Sequence, residues 1–290
     1  MQAIFDASLV IARRRRALSQ AVAGADFLVA RAAEDLADRL AVVERKFERG
    51  AAIFGVSPAA TAVLAASGKV QDVVRIEADR DFLGGGPGIV SDPETIALEP
   101  ESIDLALSLL ALQEANDVPG QLIQIRRALR PDGLFLGVMA GAGTLAELRE
   151  SLLAAETELT GGASPRVFPF TDVRDAGALL QRAGFALPVA DAETVTVRYD
   201  TMFALMADLR AMGVTNSLTD RSRMPATRRL FQRAAEIYAE RFSDPDGRVR
   251  ASFCFVWLSG WAPAPSQQKP LKPGSAQVSL AKVLGEDGKK

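Results

Sequence analysis

Acidic side chains that directly follow short apolar runs are the groups in this sequence best placed to bind a polar ligand. Glu77 ends one such run, and Asp92 follows the apolar pair Ile89-Val90. A carboxylate at the end of a buried strand can accept hydrogen bonds from the two hydroxyls of a ribose or from an exocyclic amine. A solvated acidic residue is the alternative, because further acidic residues follow Glu77 in the sequence.

A turn that contains several small residues precedes these acids. Residues 51–55 form an apolar run, residues 59–66 have helical character, and the turn between them contains Gly55, Ser57 and Ala59. Small side chains let the backbone approach a ligand, and the N–H groups at the start of a helix point towards it. Only one glycine is present, so both a ligand-binding turn and a plain strand-turn-helix connection remain open.

Three polar residues between positions 114 and 117 are candidates for contact with a substrate. Glu114, Asn116 and Asp117 follow the apolar run 103–108, where the mouth of a site would lie. Glu114 or Asp117 could take a proton from an acceptor group, whereas the pair Asn116-Asp117 could equally cap the helix that begins at Val118. No residue is assigned a catalytic role. The glycine-rich stretch 84–88 predicts a flexible loop, since no Gly-Lys-Ser/Thr sequence follows it.

Histidine is absent from all 290 residues, and Cys254 is the only cysteine. These absences exclude Ser–His–Asp and Cys–His nucleophile systems, histidine-ligated zinc sites and cysteine-rich metal sites. We therefore expect no metal site. Cys254 alternates with aromatic residues, which favours a buried strand position over a reactive thiol. Chemistry supplied by a cofactor is compatible with this composition. A role in binding alone is compatible with it as well.

The charge and hydropathy of the chain set further limits on its partners. The formal net charge is −2, and 48% of the residues are hydrophobic. This balance predicts a globular protein without the positive field that gathers nucleic acid, so no nucleic-acid partner is expected. No apolar stretch is long enough to predict a membrane span. The basic run 13–16 lacks a following apolar segment, which favours a cytoplasmic protein over an exported one.

Short apolar runs alternate with helical segments over most of the chain. The runs at 51–55, 72–77, 103–108 and 133–139 predict parallel strands, with helices at 59–66 and 118–129 between them. This alternation predicts an α/β fold with a doubly wound sheet, which binds its ligands at the carboxyl ends of the strands. Residues 130–133 predict a turn. Later segments predict helices at 172–183, 202–212 and 226–242 and strands at 193–199 and 249–261.

The same reading predicts the organisation of the domain. Residues 1–50 are expected to form an N-terminal helical segment that ends at Gly50, and residues 51–262 the α/β domain. A helical lid is expected at about 200–245, with edge strands beside it. Residues 263–290 are rich in Pro, Gly, Ser and Lys and predict a flexible tail.

Ordered motifs along nearly the whole chain resemble a known family. Two of these motifs are Asn116-Asp117-Val118-Pro119 and the later, more specific Met212-Gly213-Val214-Thr215-Asn216. The other similar segments are residues 4–6, 103–105, 129–133, 143–149, 169–173, 182–185, 202–209 and 274–280. Together they resemble the methyltransferase-fold assembly factors of respiratory complex I and their alphaproteobacterial relatives. The malonyl-carrier-protein methyltransferases of biotin synthesis are similar at a greater distance.

The resemblance implies a Rossmann-like class I methyltransferase fold that binds S-adenosylmethionine. By position, Gly55, Ser57 and Ala59 take the places of the glycine-rich loop, Glu77 that of the ribose carboxylate and Asp92 that of the adenine contact. The function implied is that of an S-adenosylmethionine-dependent methyltransferase-like protein acting on a protein substrate. An assembly factor for respiratory complex I, either non-catalytic or arginine-hydroxylating, is the alternative. A complex I subunit is then the implied partner, and it would bring the cytoplasmic chain to the inner membrane.

The sequence also departs from the family pattern around the implied cofactor site. Ile53 stands where the family has an acidic residue, and Ser57 and Ala59 replace two glycines. The first change removes a contact towards the amino acid part of the cofactor, and the added Cβ atoms crowd the backbone approach. The pair Gln113-Glu114 occupies positions that the family usually fills with His-Trp.

Overall fold

The computed structural model describes residues 3–267 of the chain. Most of the predicted tail, together with the motif at 274–280, therefore lies outside the described residues. Over the part that is described, no helix is both long and apolar enough to cross a membrane.

A seven-stranded mixed sheet forms the centre of the described chain. Its strand order is β3-β2-β1-β4-β5-β7-β6, and β7 pairs antiparallel with β5 and with β6, whereas the other described pairs are parallel. The α/β prediction is thereby confirmed. The strands are β1 (Phe47–Ile53), β2 (Val70–Glu77), β3 (Ile89–Val90), β4 (Ile103–Leu109), β5 (Leu129–Ala140), β6 (Ala186–Tyr199) and β7 (Val249–Trp261).

Helices cover both faces of this sheet, because each carries an apolar stripe that must be buried. One hydrophobic cluster joins the sheet to α2, α3, α5, α7 and α8, and a second cluster joins its other face to α4 and α6. The helices are α1 (Ala7–Gln20), α2 (Phe27–Ala41), α3 (Ala59–Ala66), α4 (Val118–Ala128), α5 (Ala146–Thr160), α6 (Val173–Arg182), α7 (Met202–Ala211) and α8 (Arg228–Phe242).

The N-terminal helical prediction was too long. Helix α2 ends at Ala41, and β1 already begins at Phe47, so Gly50 lies inside a strand and does not end a helix. These residues form a strand instead of continuing the helix because they pair with β2 on one side and with β4 on the other. A side chain at position 50 would meet Val70 at 3.0 Å, which gives the glycine a packing role.

Two other segments also differ from their predictions. Residues 130–133 continue β5 instead of forming a turn, although the pairing register with β4 shifts there and Asp132 adopts a positive φ of 65°. Helix α5 follows β5 and was not predicted. Helices α7 and α8 lie in the region predicted as a lid, where α8 packs against α5 and β7. The lid role itself stays a prediction.

A close approach between α1 and the end of α7 requires a glycine at position 213. Gly213 has a φ of +77°, and a Cβ built there would lie 3.1 Å from the Cβ of Ala17 and 3.1 Å from the Cα of Arg14. Its neighbour Val214 donates its N–H to the carbonyl of Leu209, which completes the C-terminal cap of α7. This contact holds α1 near the carboxyl ends of the strands.

We expect Gly213→Ala to destabilise the chain by about 2–5 kcal/mol, measured as the free energy of unfolding in urea. The left-handed backbone costs an alanine about 1–2 kcal/mol, and forcing a methyl group into a packed contact costs about 1–3 kcal/mol more. Gly247→Ala is the matched control, because Gly247 has a φ of +83° and no atom within 4 Å of the added carbon. Equal losses in the two variants would contradict a packing role for Gly213.

Candidate functional site

A cavity of about 680 Å³ lies at the carboxyl ends of the central strands. We call it the wide cavity. The first strand-to-helix turn contributes residues 55–57 to its wall, the end of β4 contributes Leu109 and Leu110, and the end of β5 contributes Ala140. This is the edge at which open α/β sheets bind their ligands, and the volume falls within the roughly 300–1,000 Å³ of small-molecule sites.

The walls of the wide cavity are mainly apolar, with a few polar groups at its edges. Helices α2, α5 and α7, strand β7 and the segment 166–170 supply most of the apolar side chains. The polar side chains that line it include those of Arg14, Gln113, Glu114, Thr144, Arg166 and Asn216. An apolar cavity with a small number of placed polar groups is typical of a binding site for one organic group.

A second, much smaller pocket of about 70 Å³ lies beside the wide cavity. We call it the narrow pocket. Phe54, Glu77, Ala78 and Phe82 line it, together with Pro93 and Glu94 from the segment after β3. Arg14, Val56, Leu110 and Glu114 line both spaces, so these four residues form the partition between them.

Glu77 at the end of β2 is fully enclosed by the protein. The residue is 1% exposed. Its Oε1 accepts a hydrogen bond from Nε of Arg75 at 2.7 Å, and its Oε2 accepts one from the backbone N–H of Val56 at 3.0 Å. A second guanidinium nitrogen of Arg75 donates to the carbonyl of Phe82 at 2.6 Å. Both carboxylate oxygens therefore have protein partners.

Burial raises the pKa of Glu77 above its ordinary value, although the Arg75 guanidinium and the Val56 N–H act in the opposite direction. The folded chain consequently holds this proton more tightly than the unfolded chain does. The contribution of Glu77 to stability is then fully present below its unfolded pKa of about 4.3 and is lost as the pH rises through the folded pKa.

We therefore expect the stability of the native chain relative to Glu77→Gln to fall as the pH rises from about 4 towards 7. Glutamine is uncharged at every pH and so reports the stability without this titration. Urea unfolding of both proteins across that range measures the difference, and titrations elsewhere in the chain cancel. A native chain that gains stability over the variant with rising pH would show that the ion pair outweighs burial.

The structure brings some of the predicted cofactor residues together and leaves others apart. Gly55 and Ser57 line the wide cavity, and Glu77 lines the narrow pocket beside it. Ala59 is the first residue of α3 and lines neither space. Asp92 is exposed and lines neither space, and its carboxylate accepts the N–H of Glu94 in a local turn.

The three substrate-side candidates have structural partners in the described chain. Glu114 forms an ion pair with Arg14 of α1, with 2.7 Å between Oε2 and the guanidinium nitrogen. The Asn116 side chain pairs with the backbone of Phe5, accepting its N–H at 2.8 Å and donating to its carbonyl at 3.2 Å. The Asp117 carboxylate accepts the N–H of Gly120 at 2.9 Å, so it caps α4, the alternative left open above.

Sequence reasoning missed the two arginines that reach these acids, and it missed the backbone strain around the site. Phe54, Val56, Leu110 and Leu145 all have positive φ values between 51° and 59°, and all four line one or both spaces. A positive φ is unusual for a branched residue such as Val56, and such strain concentrates at functional sites. The sequence could have identified Arg75 as a partner of Glu77, because Arg75 lies two residues before Glu77 and therefore on the same face of an apolar strand.

Comparisons with solved structures define the fold class. The protein YcgJ of Bacillus subtilis superposes with a TM-score of 0.54 at 14% identity, covering 80% of this chain and 99% of that one. BH2331 of Bacillus halodurans, described as a candidate methyltransferase, also gives 0.54 at 16% identity, covering 79% and 98%. Residues 39–137 match the family described as a methyltransferase domain. The chain therefore has the class I methyltransferase fold.

Its sequence relatives are more specific. The mitochondrial arginine-hydroxylase NDUFAF5 of Danio rerio is 42% identical over 193 residues, which is 67% of this chain and 60% of that protein. The human protein of the same name is 42% identical over 195 residues, or 67% and 56%. The chain is thus similar in sequence to these arginine hydroxylases, and the matches span less than two thirds of the relatives' length.

A second group of relatives carries a different activity in its name. The malonyl-[acyl-carrier protein] O-methyltransferase of Laribacter hongkongensis is 36% identical over 196 residues, covering 67% of this chain and 63% of that protein. The carrier-protein methyltransferase is less similar to this chain than the arginine hydroxylases are. This agrees with the resemblance found in the sequence, in which the carrier-protein methyltransferases are the more distant group.

The adenosyl group of S-adenosylmethionine does not fit the described arrangement of these residues. Glu77, which would receive the ribose hydroxyls, is 1% exposed and already has a partner on each oxygen. The adjoining narrow pocket holds about 70 Å³, far below the roughly 300 Å³ of a small ligand site. Ile53, at the place of the family's acid, is buried and offers no polar contact.

Proposed function

We propose that the chain is a methyltransferase-like protein that acts on a protein substrate held in the wide cavity, and that it takes part in the assembly of respiratory complex I. The observation that carries this proposal is the wide cavity itself, which is large, mainly apolar and open at the ligand-binding edge of the sheet. A cavity of about 680 Å³ can take a long side chain with its flanking backbone.

An arginine side chain is the substrate group that we propose for this cavity. The relatives with the highest identity among those described above are named as arginine hydroxylases. The cavity offers an apolar wall for the methylene stem of such a side chain and the carboxylate of Glu114 for its guanidinium. In the described chain that carboxylate pairs with the guanidinium of Arg14, so a substrate arginine would have to replace Arg14 or share the carboxylate with it. Asn116 would hold the N-terminal segment in place, and Asp117 would hold the start of α4, so both would support the site.

Two activities on an arginine are candidates, hydroxylation and methyl transfer from S-adenosylmethionine. The match of residues 39–137 to a methyltransferase domain favours methyl transfer. In that activity Gly55, Ser57 and Glu77 would be the predicted cofactor residues that already line the two spaces, whereas Ala59 and Asp92, which line neither, would have to move to reach a cofactor. Arg75 would first have to leave Glu77. We place the protein in the bacterial cytoplasm, where a complex I subunit would bring it to the inner membrane.

Mass spectrometry of respiratory complex I tests this proposal. The complex is isolated from the native organism and from a strain that lacks this gene, and the arginine-containing peptides of its subunits are compared. We expect a modified arginine that is present only in the native strain. A mass increase of one oxygen atom identifies hydroxylation, and an increase of one methylene group identifies methylation.

Assembly without a modification is distinguished in the same strains. If the complex fails to assemble in the deletion strain and no arginine differs, the chain is an assembly factor that binds without chemistry. If the complex assembles normally and no arginine differs, the proposed function is wrong.

A further inference from the structure

We infer that Arg75 closes the nucleoside subsite in the native chain: from outside the narrow pocket, it holds the Glu77 carboxylate that a ribose would need. The relatives' names do not describe such a closure. The closure concerns the chain without a ligand and does not depend on which protein the wide cavity binds.

The position of Arg75 on β2 explains how it reaches the carboxylate. Arg75 and Glu77 are two residues apart on one strand, so both side chains lie on the same face of the sheet. The Arg75 side chain runs along that face until its Nε is 2.7 Å from Oε1 of Glu77. Arg75 is 8% exposed and Glu77 is 1% exposed, so the pair is removed from solvent.

The same guanidinium also fixes the far wall of the narrow pocket. One of its terminal nitrogens donates to the carbonyl of Phe82 at 2.6 Å, within the short 3₁₀ helix Arg80–Leu83. Phe82 is 3% exposed and lines the narrow pocket. Arg75 therefore ties the segment after β2 to the strand end, and the space left beside Glu77 is small.

The first strand-to-helix turn encloses the Glu77 carboxylate on the side opposite Arg75. The backbone N–H of Val56 donates to Oε2 of Glu77 at 3.0 Å while Val56 holds a φ of +59°. Pro58 and the following residues lead directly into α3. A carboxylate can accept about four hydrogen bonds, but Glu77 is 1% exposed, so a ribose could reach its oxygens only by displacing this N–H or the guanidinium.

Displacing the guanidinium is unfavourable for a ribose. A charge-assisted hydrogen bond from arginine to a buried carboxylate is roughly twice as strong as one from a neutral donor such as a hydroxyl. A ligand that displaced Arg75 would also leave a buried cation without its partner. Removing the guanidinium should therefore improve nucleoside binding, whereas it would have little effect if Arg75 only supported the strand.

Isothermal calorimetry with S-adenosylhomocysteine on the full chain tests this closure, with native protein, Arg75→Ser and Arg75→Ser/Glu77→Ala compared. Serine removes the guanidinium and leaves room and a hydroxyl beside Glu77. We expect at least tenfold tighter binding by Arg75→Ser than by the native chain. The gain should disappear in the double variant, because the carboxylate that receives the ribose is then gone.

Arg75→Gln keeps the test decisive if the serine variant is unstable. Its side-chain amide can still donate one hydrogen bond to Glu77 but carries no charge, so it should also bind the ligand more tightly than the native chain. The shift in melting temperature on adding the ligand provides a second readout for each folded variant. Native binding as tight as that of both single variants would overturn the inference, and so would a gain that persists without Glu77.

Discussion

Arg75→Leu is expected to lower the free energy of unfolding by about 3–5 kcal/mol at neutral pH, the usual cost of removing one partner of a buried ion pair. The substitution leaves the Glu77 carboxylate enclosed with only the Val56 N–H as a partner. Protonation can neutralise that carboxylate, so the loss should become smaller at acidic pH. Urea unfolding at the two pH values measures both effects.

The double variant Arg75→Leu/Glu77→Leu is the control for this prediction. Replacing both charges by apolar groups of similar volume is often close to neutral, so the double variant should be more stable than Arg75→Leu. The Val56 N–H would still lose its acceptor, which costs about 1–3 kcal/mol. A single variant that loses less than about 1 kcal/mol would mean that Arg75 is not the principal partner of Glu77.

Ala140→Phe is expected to reduce the arginine modification at least tenfold, or the yield of assembled complex if no modification occurs, while the chain stays folded. Ala140 ends β5 and lines the wide cavity, so a phenyl group there would fill space that the substrate needs. The residue is only partly buried, and the phenyl group can extend into the cavity without displacing the core. The strain that carries the variant gene is analysed by the same mass spectrometry.

Ala146→Phe is the matched control for the cavity variant. Ala146 begins α5, is exposed and does not line the wide cavity. The same substitution at this position should leave the modification and the assembly unchanged. Equal losses in both variants, or no loss with a folded Ala140→Phe protein, would show that the substrate does not enter the wide cavity.

Much of the sheet could be predicted because its strands are short, apolar and separated by clear breaks. Strand β7 and helix α3 begin and end at the predicted residues. The error at Gly50 has a physical origin. The helical spacing of Leu36, Leu40 and Val43 continues by chance to Phe47, and only pairing with β2 and β4 reveals that a strand has begun.

The geometry of the first turn could not be predicted from its composition. Ser57 and Ala59 predict that a cofactor would be crowded there, and this stays a prediction. The more important feature is Val56, whose positive φ directs its N–H to Glu77. A single sequence does not reveal the backbone angle of a valine, and valine is among the residues least expected in this conformation.

Contacts between distant segments were the other part that the sequence could not show. Arg14 reaches Glu114 over a separation of 100 residues, and Phe5 pairs with Asn116 over 111. Both contacts depend on α1 lying across the strand ends, which follows from its packing on α7 at Gly213. Glu77 and Glu114 line the two spaces, whereas Asp92 lines neither. The arginine partner of Glu114 comes from a segment whose position only the fold determines.

A crystal structure of the native chain grown with excess S-adenosylhomocysteine tests most directly whether the wide cavity, and not the nucleoside subsite, is the part of this site open to a ligand. We predict Arg75 within hydrogen-bond distance of Glu77, with no ordered adenosyl group beside Phe54 and Ala78. Density for a ribose on Glu77, with the Arg75 side chain turned away, would contradict the account.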